Sequence, residues 1–138
     1  MDMISTTKHY TIGTAALKSG ISAKMIRHYE QIGLLQEAAR TEAGYRLYSD
    51  RDVHVLHFIR HSRDLGFSIK QMEELLGLWQ DTARPSREVK KLAQSHLQGL
   101  DEKIRELNTM KAELERLVDC CMGDSRPDCP ILEGLAAE

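Results

Sequence analysis

TIGTAALKSGISAKMIRHYEQIG, residues 11–33, spells two short helices and the turn between them. Thr11 carries the side-chain oxygen that caps a helix over Ile12–Ser19, with Ile12, Ala15, Ala16 and Leu17 as its apolar face. Gly20 ends that helix. Ser22 caps a second one through about Gln31, and Gly33 stops it. Two short helices joined at a glycine turn are the signature of a helix-turn-helix. On the second helix Lys24, Arg27 and Tyr29 are expected to reach one exposed side while Met25 and Ile26 pack inward. Long basic side chains on such a helix suit base edges and phosphates in a major groove. An ordinary solvated basic helix has the same look, so this segment alone leaves both readings open.

Outward from there, the period changes between Gly33 and Asp50. Gly44 supplies a tight turn, and Tyr45, Arg46, Leu47 and Tyr48 alternate as a strand, with Tyr45 outward and Tyr48 at least partly inward. A hairpin here would be the wing of a winged helix-turn-helix. Arg40 and Arg46 are its phosphate-gripping cations, and Tyr45 brings a hydroxyl donor beside them. Asp50 is expected to cap a third helix over roughly 51–65, with Val53, Leu56, Phe58 and Ile59 inward, stopped at Gly66. Ser68 starts a fourth helix carrying Ile69, Met72, Leu75, Leu76 and Trp79. These elements make a DNA-binding domain over 11–79, preceded by a loose tail over 1–10 and followed by a linker over 80–85.

From Ser86 to about Cys121 the only helix breaker is Gly99. Ala93, Leu97, Leu100, Ile104, Leu107, Lys111, Leu114, Val118 and Cys121 recur at alternating spacings of four and three, a heptad seam interrupted by Lys111. Such a helix is ~50 Å long. A small domain cannot cover that seam, and the chain holds no second long helix to form an internal hairpin. The expectation is a dimerisation helix over 86–120 that pairs with its copy, then a loop and short helix over 121–138. The fold class is mainly α.

Composition agrees. The 138 residues are 41% hydrophobic and 29% charged, with 5% aromatics, so the core rests on aliphatic side chains. No apolar run approaches the ~20 residues a membrane span requires. The N-terminus lacks the basic start, apolar stretch and cleavage site of a signal peptide, so a cytoplasmic protein is expected. The net charge of -2 conceals an asymmetry: residues 8–70 hold 10 Lys and Arg against 6 Asp and Glu, residues 71–138 hold 9 against 14. A basic first half suits a polyanion; the acidic second half does not.

All three cysteines, Cys120, Cys121 and Cys129, fall in the last 19 residues. Such clustering in a reducing compartment points to metal binding or redox sensing rather than a disulfide framework. Gly123, Asp124, Ser125 and Pro127 make a compact loop between Cys121 and Cys129. Pro130 at a first helical position makes Cys129 the N-cap of a short helix over about 130–136, where the helix dipole favours thiolate. Structural zinc wants four nitrogen or sulfur ligands, whereas two thiolates suit a soft monovalent ion, Cu(I), Ag(I) or Au(I). Cys120 points ~100° away from Cys121 around a helix and reads as a bystander. Recruited as a third ligand, it would turn the site toward Zn, Cd or Pb. Met122 is a conceivable thioether ligand. A regulatory disulfide between Cys121 and Cys129 is the other alternative. His57 and His61 stand at i, i+4 with no third ligand nearby, and read as packed or solvated. No nucleophile, paired-carboxylate or phosphate-loop pattern stands out, which argues against an enzyme.

Thr11-Ile12-Gly13, Ile26 through Glu30, Gly33-Leu34-Leu35, Arg40 through Tyr48 and the long helix together resemble the MerR family of metal-responsive transcription regulators. Cys121 and the run Asp128-Cys129-Pro130-Ile131 resemble its copper-efflux (CueR/HmrR-type) branch. The resemblance implies a homodimer joined by an antiparallel coiled coil, each head reading half of a palindromic promoter whose spacer between polymerase-recognition hexamers is overlong. It implies that metal binding distorts the promoter DNA, realigns the hexamers for RNA polymerase and converts a repressor into an activator. It places Lys24, Arg27, Tyr29, Arg40, Tyr45 and Arg46 at DNA and Cys121 and Cys129 at copper. In an antiparallel pair the start of one long helix, Ser86, lies beside the other chain's metal loop. A serine there marks monovalent selectivity, because it adds no thiolate for a divalent ion.

Overall fold

Side-chain caps fix where the first four helices begin. The computed structural model describes residues 8–137, which hold β1 (His9–Tyr10), α1 (Ile12–Ser19), α2 (Ala23–Gln31), β2 (Ala39–Arg40), β3 (Arg46–Ser49), α3 (Asp50–Asp64), α4 (Ile69–Gln80), α5 (Ser86–Cys120) and α6 (Pro130–Ala136). Thr11 Oγ1 accepts from the Thr14 N–H at 3.3 Å and Ser22 Oγ from that of Met25 at 3.2 Å. Ser68 and Gln71 form a reciprocal capping box at the start of α4. Each such cap is worth about 1 kcal/mol. At the start of α3 the cap is Ser49 rather than Asp50. Ser49 accepts from the Asp52 N–H at 3.1 Å, the Asp52 carboxylate accepts from the Ser49 N–H at 2.9 Å, and Asp50 becomes the first helical residue.

The chain divides into two units between Pro85 and Ser86. In the first, α1 and α2 form the helix-turn-helix. Gly20 between them has φ +74°, a backbone conformation that favours glycine, and a Cβ there would also have to displace the half-exposed Arg60 guanidinium, whose Nη1 would stand 2.3 Å away. Ala15, Ile26, Tyr29, Leu35, Tyr48, Leu56, Ile59 and Met72 close the core. Leu17, expected on the apolar face of α1, is 88% exposed. The buried stripe follows Ala15 and Ser19, four residues apart, and Leu17 falls off it.

The sheet has the order β1-β3-β2, antiparallel throughout, with His9 opposite Ser49, Tyr10 opposite Tyr48, Ala39 opposite Leu47 and Arg40 opposite Arg46. The tail expected over 1–10 is therefore corrected at its end: His9 and Tyr10 are a strand, and Tyr10 Oη donates to Asp50 at 2.5 Å. Residues 1–7, like Glu138 at the other terminus, lie outside the described residues. On α3 and α4, Phe58 stacks on Trp79 with ring centroids 4.6 Å apart and His54 meets the same indole at 5.3 Å. The rings of His57 and His61 stand 6.4 Å apart.

In the second unit α5 runs 35 residues and fits a coiled-coil helix. Leu97, Ile104, Leu107, Leu114 and Val118 along it are each more than half exposed. Leu117 is buried, beneath α6, which folds back onto the end of α5. Among the described residues no helix is long and apolar enough to cross a membrane.

Candidate nucleic-acid interface and thiol loop

The outer face of α2 is set by its own period. Ile26 and Tyr29, three residues apart, are buried, which leaves Lys24, Arg27, His28 and Gln31 exposed on the opposite side. The orientation expected for Tyr29 is thereby corrected. It is 1% exposed and belongs to the core, because it stands one turn from Ile26 rather than one turn from Lys24. His28 takes its place on the outer face; its spacing of four from Lys24 was the signal for it.

The wing is β2, β3 and the turn between them. Thr41 closes the turn: its N–H donates to the Tyr45 carbonyl at 2.8 Å, and its carbonyl accepts from the Gly44 N–H at 2.9 Å. Arg40 Nη1 donates to the Gly44 carbonyl at 2.9 Å, which folds that guanidinium along the hairpin. Tyr45 sits in the turn just before β3 and is 72% exposed, while Tyr48 is fully buried. Arg46 is paired across the ladder with Arg40. Arg27 and Arg46 line one recess together with Glu30, Gln31 and Glu37, so the outer helix and the wing meet. At that junction Tyr48 donates its hydroxyl to Glu30, and Arg46 Nε lies 3.6 Å from Glu30 Oε2. Burial first, then the hydrogen bond to Glu30 and its negative charge, push the Tyr48 hydroxyl well above its usual range, with Arg46 and Arg27 pulling it back by less.

In the second unit Cys120 is the last residue of α5 and exposed; Cys121, just past the helix, and Cys129 are half-buried. All three are free thiols. Arg126 organises the loop between them. Its N–H and its Nε donate to the two oxygens of Asp124 at 3.0 and 2.9 Å, and this clamp holds the Asp124 carboxyl below the usual carboxylate range. Cys129 is the N-cap of α6, with Pro130 at the first helical position, and its side chain makes no capping hydrogen bond. Among the described residues no group of three or more His, Cys, Asp or Glu side chains is placed to hold a metal ion. Cys121 and Cys129 are thus two thiol donors at the ends of one loop, with no third such side chain grouped beside them among the described residues. Ser86 is exposed as the first residue of α5.

Against known families, residues 10–78 match the model described as MerR HTH family regulatory protein, and residues 53–117 match that described as MerR, DNA binding. Heavy metal-dependent transcription regulator 2 of Rhizobium meliloti (strain 1021) is 53% identical over 125 residues, 91% of this chain and 85% of that protein. The HTH-type transcriptional regulator CueR of Salmonella typhimurium is 36% identical over 125 residues, 91% of each chain. Among solved structures, the transcription regulator PbrR691 from Ralstonia metallidurans CH34 in complex with lead(II) superposes with a TM-score of 0.77 at 31% identity. It covers 92% of this chain and 99% of that one.

Proposed function

We propose, from the premise that this chain belongs to the MerR family of helix-turn-helix regulatory proteins, that it is a cytoplasmic promoter-binding regulator switched on by Cu(I), or by Ag(I) or Au(I). As a DNA-binding transcription regulator it is not an enzyme. Its DNA-contacting residues are Lys24 and Arg27 on α2 and Arg40, Tyr45 and Arg46 in the wing, with Tyr29 supporting α2 from the core side. Two chains pair through the exposed stripe of α5, so that two heads read the halves of a palindrome. Cys121 and Cys129 take the ion, and Ser86 of the partner subunit, a neutral hydroxyl, adds no thiolate. With the ion bound, the dimer distorts the promoter so that RNA polymerase engages it.

The observation that carries the choice of ion is the donor set: two half-buried free thiols on one clamped loop, with no third ligand grouped beside them among the described residues. Metal response itself is supported by the likeness to the heavy metal-dependent regulator and to CueR. The test is anaerobic titration of the reduced chain with Cu(I) and with Zn(II) while transcription from its own promoter is followed. Cu(I) at one ion per loop is expected to induce and Zn(II) is not; induction by Zn(II) alone would overturn the reading.

One observation favours a second reading, a divalent sensor. Cys120 is an exposed thiol next to Cys121, and PbrR691 was solved with lead(II). If Cys120 is a third ligand, Cys120→Ser abolishes the response to Pb(II), Cd(II) or Zn(II). If it is a bystander, the copper response survives that change. A redox switch instead predicts a Cys121–Cys129 disulfide on oxidation without metal, visible by mass analysis under non-reducing conditions.

A further inference from the structure

The geometry points to Glu30 as a positioning residue for DNA binding: its buried carboxylate holds the Arg46 guanidinium in register with Arg27, so that helix and wing address the phosphate backbone as one unit. The inference rests on the wing contact proposed above.

Glu30 lies on α2 one residue before its end, yet its side chain is only 5% exposed. On the helical wheel it shares the inner half of α2 with Ile26, where an aliphatic side chain is the ordinary occupant. A carboxylate taken out of water is costly unless it is paired and hydrogen-bonded. Here both its oxygens are engaged by one strand. Oε1 accepts from the Tyr48 hydroxyl, and Oε2 faces Arg46 Nε at 3.6 Å. Residues 46 and 48 are two apart on β3 and so project to the same side of the wing. Tyr48 is fixed in the core with no exposure at all, and it anchors the carboxylate. The anchored carboxylate in turn holds a guanidinium whose side chain remains 31% exposed.

The way Arg46 is held matters. Its Nε is buried and makes no hydrogen bond, so the attraction to Glu30 is one of charge. A guanidinium carries five N–H donors. With Nε turned toward Glu30, the four on Nη1 and Nη2 are left for a bidentate contact with phosphate. Arg27 is exposed on the far side of the same recess. Gln31 and Glu37 complete the lining, and the two carboxylates balance the two guanidiniums there, so the recess itself is no anion pocket. What it offers is one held cation, Arg46, on the recess that Arg27 also lines from the other element.

A positioning role and a plain Coulombic role predict opposite signs. Removing a negative charge beside DNA should tighten binding by charge alone. Removing the residue that orients Arg46 should weaken it. The experiment measures affinity for the chain's own promoter DNA, as a function of salt, for the unaltered chain, Glu30→Gln, Arg46→Gln and the double variant. Arg46→Gln is expected to weaken binding about tenfold and to reduce the salt slope by about one. Glu30→Gln is expected to weaken binding about fivefold, in the range of one oriented phosphate contact, and to add nothing once Arg46 is gone. Equal losses in both backgrounds, no loss, or tighter binding would overturn the proposal. If Arg46→Gln itself has no effect, the wing contact falls, and Glu30 with it. Thermal melting separates these results from misfolding. Should Glu30→Gln not fold, Glu30→Asp keeps the charge but withdraws it by one methylene, and the same Arg46-dependent loss is expected.

Discussion

Gly134 on α6 lies directly against Leu117 on α5: a Cβ at position 134 would stand 2.3 Å from Leu117 Cδ2 and 3.4 Å from Cγ. This approach seats the short helix that follows Cys129 on the end of the long one. Leu117 is itself 4% exposed, so it has little room to yield.

Gly134→Ala therefore opposes two effects of different size. Alanine favours a helix over glycine by about 1 kcal/mol, while forcing a methyl into a filled contact costs about 1–3 kcal/mol. The expected net result is an α6 loosened from α5, with faster amide exchange over 130–136 and an unchanged head. Leu117→Ala added to Gly134→Ala should restore the contact, since the two methyl groups then fit. Exchange that stays slow in Gly134→Ala would contradict this.

The raised Tyr48 hydroxyl predicts the alkaline behaviour of the head. Burial and Glu30 favour the neutral phenol in the folded chain. The folded protein thus holds its proton above the ordinary value of 10.0 at which the unfolded chain releases it. The stabilisation is complete below that value and declines as pH rises beyond it, by up to about 1.4 kcal/mol per pH unit. Tyr48→Phe should lower stability near neutrality by about 1.5–3 kcal/mol for the lost bond to a carboxylate and flatten the alkaline slope. Denaturant midpoints measured across that range read both; an unchanged slope would contradict the burial of this hydroxyl.

Leu97, Ile104, Leu107, Leu114 and Val118 leave an apolar stripe uncovered along α5. Replacing Leu107 by Glu puts a charge at the middle of that seam. If a second copy covers it, Leu107→Glu should shift the chain from dimer to monomer in sedimentation equilibrium, with the far-ultraviolet helix signal reduced and binding to a palindromic promoter lost. A dimer that persists would place the pairing elsewhere.

What the sequence disclosed follows the range of the forces involved. The caps at Thr11, Ser22 and Ser68 act over three residues and were legible from the residues alone. So was the stretch of α5, whose periodicity repeats for 35 residues. The inward turn of Tyr29 is not legible in the sequence, because a nine-residue helix carries too few repeats to phase its inner face and burial there depends on the core that closes over it. β1 leaves no mark in the sequence, because a two-residue strand exists only through its pairing with β3. Glu30 was hidden for the same reason: nothing local marks a carboxylate whose partners stand 16 and 18 residues away. At the C-terminus the thiols and the Pro130 start of α6 were plain, while the Asp124–Arg126 clamp and the Gly134–Leu117 contact are products of the folded loop.

The most direct measurement is transcription in vitro from the chain's own promoter, with and without Cu(I), using the unaltered chain and a Cys121→Ser, Cys129→Ser double variant whose promoter occupancy is confirmed by footprinting. Induction by the unaltered chain and none by the occupied double variant is the expected result. Equal induction by both would show that these two sulfurs do not sense the ion.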